Sequence, residues 1–210
     1  MTTRHDAPCR SLALWPVVAL ACAAACATPA PPPEGDARPT PVYDKTTGRL
    51  ETLVSDHNHD GKPDTWAHMD GPVLKSIDID RDGDGRPDRW EYYIPASAAG
   101  LPGSDPIIDH ADEADGPDQK TITRREFYLK GVLQRTEEDT DHDGRIDKWE
   151  YYDGKVLTRV EFDLDGHGYP DRRLVYGPDG NVVRVEVDPH GTGTFVPVPA
   201  ASPARKGGDR

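Results

Sequence analysis

The feature that most limits what this chain can fold into is a nine-residue acidic loop that returns at a fixed interval. It reads Asp56-His57-Asn58-His59-Asp60-Gly61-Lys62-Pro63-Asp64, then Asp80-Arg81-Asp82-Gly83-Asp84-Gly85-Arg86-Pro87-Asp88. Two further copies read Asp139-Thr140-Asp141-His142-Asp143-Gly144-Arg145-Ile146-Asp147 and Asp163-Leu164-Asp165-Gly166-His167-Gly168-Tyr169-Pro170-Asp171, and a faded fifth begins at Asp188. Their first residues are 24, 59, 24 and 25 positions apart, which makes the chain an array of units of about 24 residues with one interruption. Between loops the sequence alternates with period two, as in Val73, Ile77 and Ile79, in Val156, Val160 and Phe162, and in Val183, Val185 and Val187. Aromatic strands such as 90–93 and 149–152 precede these segments. They are joined to them by hairpin signals at Asp70-Gly71, Lys130-Gly131, Asp153-Gly154 and Asp179-Gly180.

The expected fold is therefore all-β, an antiparallel meander of about five 24-residue hairpin repeats, with hairpin turns along one edge and acidic loops along the other. Trp66, Trp90 and Trp149 each sit two residues after a loop's last aspartate, and Trp90 and Trp149 share strand faces with Tyr92 and Tyr151. Rings at that spacing pack neighbouring hairpins together. They offset the scarcity of aliphatic residues in a chain with 21 prolines and 20 glycines.

The interval of 59 holds residues 94–120, read either as a Pro/Gly/Asp-rich surface insertion or, through Asp115 and Gly116, as the relic of a sixth loop. The rest of the chain divides into a signal segment (1–26), a Pro-rich tether (27–41), the repeat domain (42–196) and a Pro/Ala/Gly-rich tail (197–210). The tether and the tail are expected to be disordered.

Residues 1–26 combine a basic start, Arg4 and Arg10, with an apolar stretch from Leu12 to Ala25 that is short for a membrane span. The end of this segment resembles a bacterial lipobox, either Ala23-Ala24-Ala25-Cys26 or Ala19-Leu20-Ala21-Cys22. That resemblance implies lipidation at Cys26, with Cys22 the alternative, and a lipid-anchored protein of the cell envelope. Neither cysteine is followed by aspartate, which by resemblance to enteric bacterial sorting implies the outer membrane. All three cysteines lie within the first 26 residues, so the repeat domain has no disulfide, thiolate nucleophile or thiolate ligand.

The formal net charge is −13, which repels phosphate backbones and excludes nucleic acid as a natural partner; cations are the natural ligands. The spacing D-x-[DN]-x-D-G-x-x-D resembles the EF-hand loop, whose ligands come from positions one, three, five, seven (through the carbonyl), nine and twelve. The implied ligand is Ca2+. In the second loop the matching residues are Asp80, Asp82, Asp84, Arg86, Asp88 and Glu91. In the third they are Asp139, Asp141, Asp143, Arg145, Asp147 and Glu150. The first loop offers Asp56, Asn58, Asp60, Lys62 and Asp64 but has Ala67 at position twelve; the fourth offers Asp163, Asp165 and Asp171, with His167 at position five and Leu174 at position twelve. Affinity is expected to fall from the second and third loops to the first and then the fourth.

A helix-loop-helix is disfavoured by the flanking alternation and by Pro63, Pro87 and Pro170 at position eight, which cannot donate to a partner loop. The loops resemble more closely those of thrombospondin type 3 repeats, dockerin modules and integrin-type propeller blades. The run from Trp149 to Lys155 is similar to MORN-type hairpin repeats. No G-x-S-x-G, H-E-x-x-H or phosphate-binding glycine loop is present, so no enzyme is expected. His57 and His59 read as solvated surface. The expected role is a calcium-stabilised, lipid-anchored structural or adhesive module that binds an envelope protein or a glycan through its β face. The alternatives are an envelope enzyme or accessory subunit with its groups in the insertion, for instance Asp109, His110 and Asp112, and a calcium buffer or sensor.

Overall fold

The computed structural model describes residues 38–116 and 120–199. The signal segment, Cys22, Cys26 and most of the expected tether and tail lie outside the described residues.

The described residues form thirteen strands: β1 (Thr40–Tyr43), β2 (Leu50–Ser55), β3 (Thr65–Asp70), β4 (Val73–Ile79), β5 (Arg89–Pro95), β6 (Pro106–Glu113), β7 (Arg124–Leu129), β8 (Val132–Glu138), β9 (Lys148–Asp153), β10 (Val156–Phe162), β11 (Arg172–Tyr176), β12 (Val182–Val187) and β13 (Val196–Pro197). They make one sheet in sequence order, each strand antiparallel to the next, which is the expected meander. A 3-10 turn, Ala96–Ala99, is the sole helical element among the described residues. β1 and β13 leave open edges, and each carries a proline, Pro41 and Pro197, that withholds an N–H from a further strand.

The 94–120 segment is not extra to this array. β6 pairs with both β5 and β7, and the ten-residue connection 96–105 is the longest of the hairpin connections, against two residues at 71–72, 130–131 and 154–155 and five or six at 177–181 and 44–49. The described residues contain six hairpins, and β5 and β6 are joined by a longer turn within the same sheet. Strand structure also reaches slightly beyond the expected boundaries, since β1 starts at Thr40 and Val198 still donates to Val185.

Reading across the register, Trp66, Asp78, Trp90, Asp112, Arg125, Glu137, Trp149, Glu161, Arg173 and Glu186 stand opposite one another in turn on one face. Beside this row, Tyr92 stacks on His110 with centroids 4.3 Å apart, Arg135 lies 4.5 Å over Phe127 and Arg159 lies 3.7 Å over Tyr151. This Trp face confirms the expected pairing of Trp90 with Tyr92 and of Trp149 with Tyr151.

The opposite face is organised by charge. Arg89 Nε and Nη2 bond Glu91 and Glu126 at 2.9 Å each, and its Nη1 bonds Glu113. Arg124 bridges Glu126 at 3.3 Å and Glu138 at 3.2 Å, and Lys148 bonds Glu138 and Glu150 at 2.9 Å each. Ala96, Ala111, Ala114 and Val160 are the fully buried apolar residues among those described, so cross-strand side-chain pairs and this ion-pair ladder take the place of a second packed layer.

One departure from simple alternation recurs in all six hairpins. Glu51, Lys75, Asp109, Gln134, Thr158 and Val183 are each an extra residue opposite a single register step. Such a bulge shifts the alternation by one residue. It separates Val73 from Ile77 and Ile79, Val156 from Val160, and Val183 from Val185, and it leaves Val73, Val156 and Val183 exposed.

Candidate metal loops

The four acidic loops follow β2, β4, β8 and β10 and lie along one edge of the sheet. Each is closed by the same bonds. The carboxylate at position one accepts the N–H of the position-six glycine: Asp56 from Gly61 at 2.9 Å, Asp80 from Gly85 at 2.7 Å, Asp139 from Gly144 at 2.8 Å and Asp163 from Gly168 at 2.6 Å. Position six has φ between 87° and 92° in these loops, so glycine is needed there. Position three accepts the amide of position five, as Asn58 does from Asp60 at 2.9 Å, Asp82 from Asp84 at 3.1 Å and Asp141 from Asp143 at 3.2 Å. Asp60, Asp84 and Asp143 in turn accept the amides of Lys62, Arg86 and Arg145 at 2.8 Å, fixing the main chain of position seven.

Position nine closes the loop from the far side. Asp64 accepts the amides of His57 and Asn58 at 2.8 and 3.0 Å, and Asp88 those of Arg81 and Asp82 at 3.0 and 3.3 Å. Asp147 takes the amide and hydroxyl of Thr140, and Asp171 the amide of Leu164 at 2.7 Å. Burial pushes the Asp64 carboxyl up, but bonds from Thr65, Asn58 and His57 outweigh it and hold the group below its ordinary range. Asp163 is likewise held low, with burial opposed mainly by the amides of Gly168 and His167. Both therefore stay ionised and able to bind a cation.

Three sets of carboxylates converge, with ligand oxygens all within 4.8 Å of one another: Asp80, Asp82 and Asp88; Asp139, Asp141 and Asp147; and Asp163, Asp165 and Asp171. Asp84 and Asp143 at position five stand outside these sets. In the first loop Asn58 supplies an amide oxygen where the others have a carboxylate. There, Asp56 Oδ1 is buried and has no hydrogen-bond partner. An ionised oxygen in that position is costly unless a cation satisfies it. An all-oxygen carboxylate set is chemistry for a hard divalent ion, and these residues fit one.

Glu91 and Glu150, expected at position twelve, are placed elsewhere. β5 and β9 run straight on from the loop, so residues ten, twelve and fourteen line one sheet face. Glu91 bonds Arg89 at 2.9 Å and the hydroxyl of Tyr93 at 2.7 Å, and Glu150 bonds Lys148 at 2.9 Å and the hydroxyl of Tyr152 at 2.6 Å. The same pattern in Arg124, Glu126 and Tyr128, where the Tyr128 hydroxyl donates to Glu126 at 2.8 Å, marks a repeat that the aspartate motif misses.

The β6–β7 connection is third along this edge, and within its described residues the Asp115 amide donates to the Thr123 hydroxyl at 3.2 Å. In the fifth loop Asp188 accepts the amide of Gly193 at 2.5 Å, repeating the position-one bond with a single carboxylate. The groups considered for an enzyme site all lie on β6. His110 bonds Asp109 at 2.9 Å and stacks on Tyr92, while Asp112 faces Arg125 at 3.6 Å.

No family model and no curated relative matches this sequence. Among solved structures, accessory secretory protein 1, 2 and 3 of Streptococcus pneumoniae aligns at 14% identity over 65% of this chain and 21% of that chain. Its TM-score of 0.28 is too low for the likeness to carry an argument.

Proposed function

We propose that this protein is a calcium-binding, lipid-anchored module of the cell envelope with a structural, adhesive or partner-binding role, its sheet stabilised by cations held in the repeated loops. The observation that carries the reading is the convergence of three in-register carboxylate trios along one sheet edge. Carboxylates packed this closely repel one another until a divalent ion neutralises them. Calcium is the ion we assign, because the donors are oxygens on a loop whose main chain is held at position seven.

The cation is assigned a stabilising role. With a dissociation constant near ~0.1 mM and ~1 mM free calcium, each filled site adds about 1.4 kcal/mol. Calorimetric titration of the full chain, paired with thermal melts in calcium and in chelator, tests this directly. A melting temperature indifferent to millimolar calcium, together with no heat of binding, removes the proposal. Anchoring is tested by radiolabelled fatty-acid incorporation, expected to be lost in Cys26→Ser or, in the alternative, in Cys22→Ser.

A further inference from the structure

We propose that the cleft on the Trp face between β9 and the fifth loop binds a short neutral oligosaccharide. The cleft has a volume of about 380 Å³, inside the ~300–1,000 Å³ range of small-molecule sites. Trp149 and Tyr151 line it from the sheet, Tyr169 from the fourth loop and Phe195 from the segment before β13. Tyr169 leans on Gly191, where an added Cβ would stand 2.5 Å from the ring, so this wall depends on a position without a side chain.

Charge identifies the ligand class. The lining carries two carboxylates, Glu161 and Asp188, each 5% exposed, and two guanidiniums, Arg135 and Arg173, so its formal charges sum to zero. On a chain of net charge −13 this cleft is locally neutral, so an anion is repelled by the body of the protein and a cation is drawn to the acidic loops instead. Arg173 Nε bonds Glu161 at 2.7 Å, and its guanidinium lies 3.7 Å from the Phe195 centroid. Such paired groups keep spare lone pairs and N–H donors, which hydroxyls match because they both donate and accept. The aromatic rings offer surfaces for the apolar face of a pyranose. A peptide added as a strand needs a free sheet edge, whereas β9 to β12 are paired on both sides. Glu161 lies between the guanidiniums of Arg159 and Arg173, and Asp188 accepts main-chain amides. Both carboxylates are thus engaged by the protein's own donors rather than directed at a bound sugar.

The inference rests on the calcium reading for one wall only, because Tyr169 belongs to the fourth loop. The test is calorimetric and tryptophan-fluorescence titration of the full chain with neutral tetrasaccharides of β-linked glucose, N-acetylglucosamine and α-linked mannose. Trigalacturonate serves as the acidic control, and each titration is run in millimolar calcium and in chelator. Saturable binding of at least one neutral sugar is expected, weakened about tenfold or more by Trp149→Ala and by Tyr169→Ala and unchanged by Trp66→Ala in the matching position of β3. Tyr169→Ala alters a loop residue and decides the matter if circular dichroism finds Trp149→Ala unfolded. No saturable binding of any neutral sugar, binding of trigalacturonate alone, or undiminished binding by Tyr169→Ala overturns the proposal. Sugar binding without calcium uptake would overturn the calcium reading alone, and calcium uptake without sugar binding would overturn this one alone.

Discussion

The amide of Asp139 donates to the carbonyl of Thr123 at 2.8 Å, and that bond carries the acidic edge across the place where the repeat looks broken. Equivalent bonds join Asp80 to Asp64, Asp163 to Asp147 and Asp188 to Asp171 at 2.8–2.9 Å, each from position one of a loop to position nine of the loop before. Ala114 makes the same bond to Asp88 at 2.9 Å, so Ala114 and Thr123 take the places of a loop's first and last aspartates at the two ends of the β6–β7 connection. The loops therefore form one continuous row along the sheet edge, and replacing a ligand in one loop should be felt first by its two neighbours.

Asp141→Asn separates charge from geometry. Asparagine keeps the oxygen that accepts the Asp143 amide, as Asn58 does at the same position for Asp60, but removes one charge from the trio with Asp139 and Asp147. The calcium-dependent rise in melting temperature should shrink, while the chelated protein should melt at the same temperature or slightly higher, because repulsion is relieved. Paired melts with and without calcium check both signs.

Position four takes a left-handed conformation in every acidic loop, with φ of 60° at His59, 77° at Gly83, 60° at His142, 72° at Gly166 and 62° at Gly191. A side chain there costs ~1–2 kcal/mol, part of which glycine returns as unfolded-chain entropy. His142→Gly should therefore stabilise the protein by about 0.5–1 kcal/mol in urea denaturation.

Arg89 holds three glutamates, so Arg89→Met should destabilise the chain by about 3–5 kcal/mol, leaving Glu91, Glu113 and Glu126 to face one another half-buried. Adding Glu126→Gln should recover part of that loss. A double-mutant cycle measured in urea gives the coupling.

The ladder also sets the pH limits of stability. Burial pushes the Glu126 carboxyl up, but bonds from Arg89 and Tyr128 and the charge of Arg124 hold it below its ordinary 4.5; Glu150 is held low in the same way by Tyr152 and Lys148. A depressed folded value means that the contribution is complete above pH 4.5 and is lost as pH falls through that lower value. Tyr128 and Tyr152 lie on the other side: burial and their bonds to glutamate push them from 10 up to about 12. Their contribution is complete below pH 10 and is lost as pH rises toward 12. Urea midpoints across pH should show both limbs, with Glu126→Gln flattening the acid one.

What could be read in the sequence was whatever is decided within a few residues. The period, the loops, the hairpins and the Trp90–Tyr92 face all follow from local spacing, and they stand in the structure. Glu91 and Glu150 were misplaced because the twelfth position of a loop depends on the element that follows it, and a strand carries that side chain to Arg89 or Lys148 on the sheet face. The bulges at Lys75, Thr158 and Val183 were missed because an extra residue is defined only by the partner strand's register. The place of the β6–β7 connection in this row was obscured because Ala114 keeps it through a main-chain bond, which leaves no mark on side-chain identity.

Gly191 gives the last test, because two costs meet there. Its φ is 62°, and an added Cβ would stand within 2.6 Å of the Tyr169 ring, whereas Gly193, with φ of 76°, has nothing within 4 Å. Gly193→Ala should therefore cost only the left-handed penalty of ~1–2 kcal/mol. Gly191→Ala should cost the same and also swing Tyr169 away from the cleft wall, since a ring at the end of a flexible side chain yields before the main chain does. The two variants should then have similar urea midpoints, while Gly191→Ala alone should raise the exposure of Tyr169 to iodination and weaken any sugar held between Tyr169 and Trp149. Equal labelling of Tyr169 in both variants would show that the glycine at 191 serves the turn and not the wall.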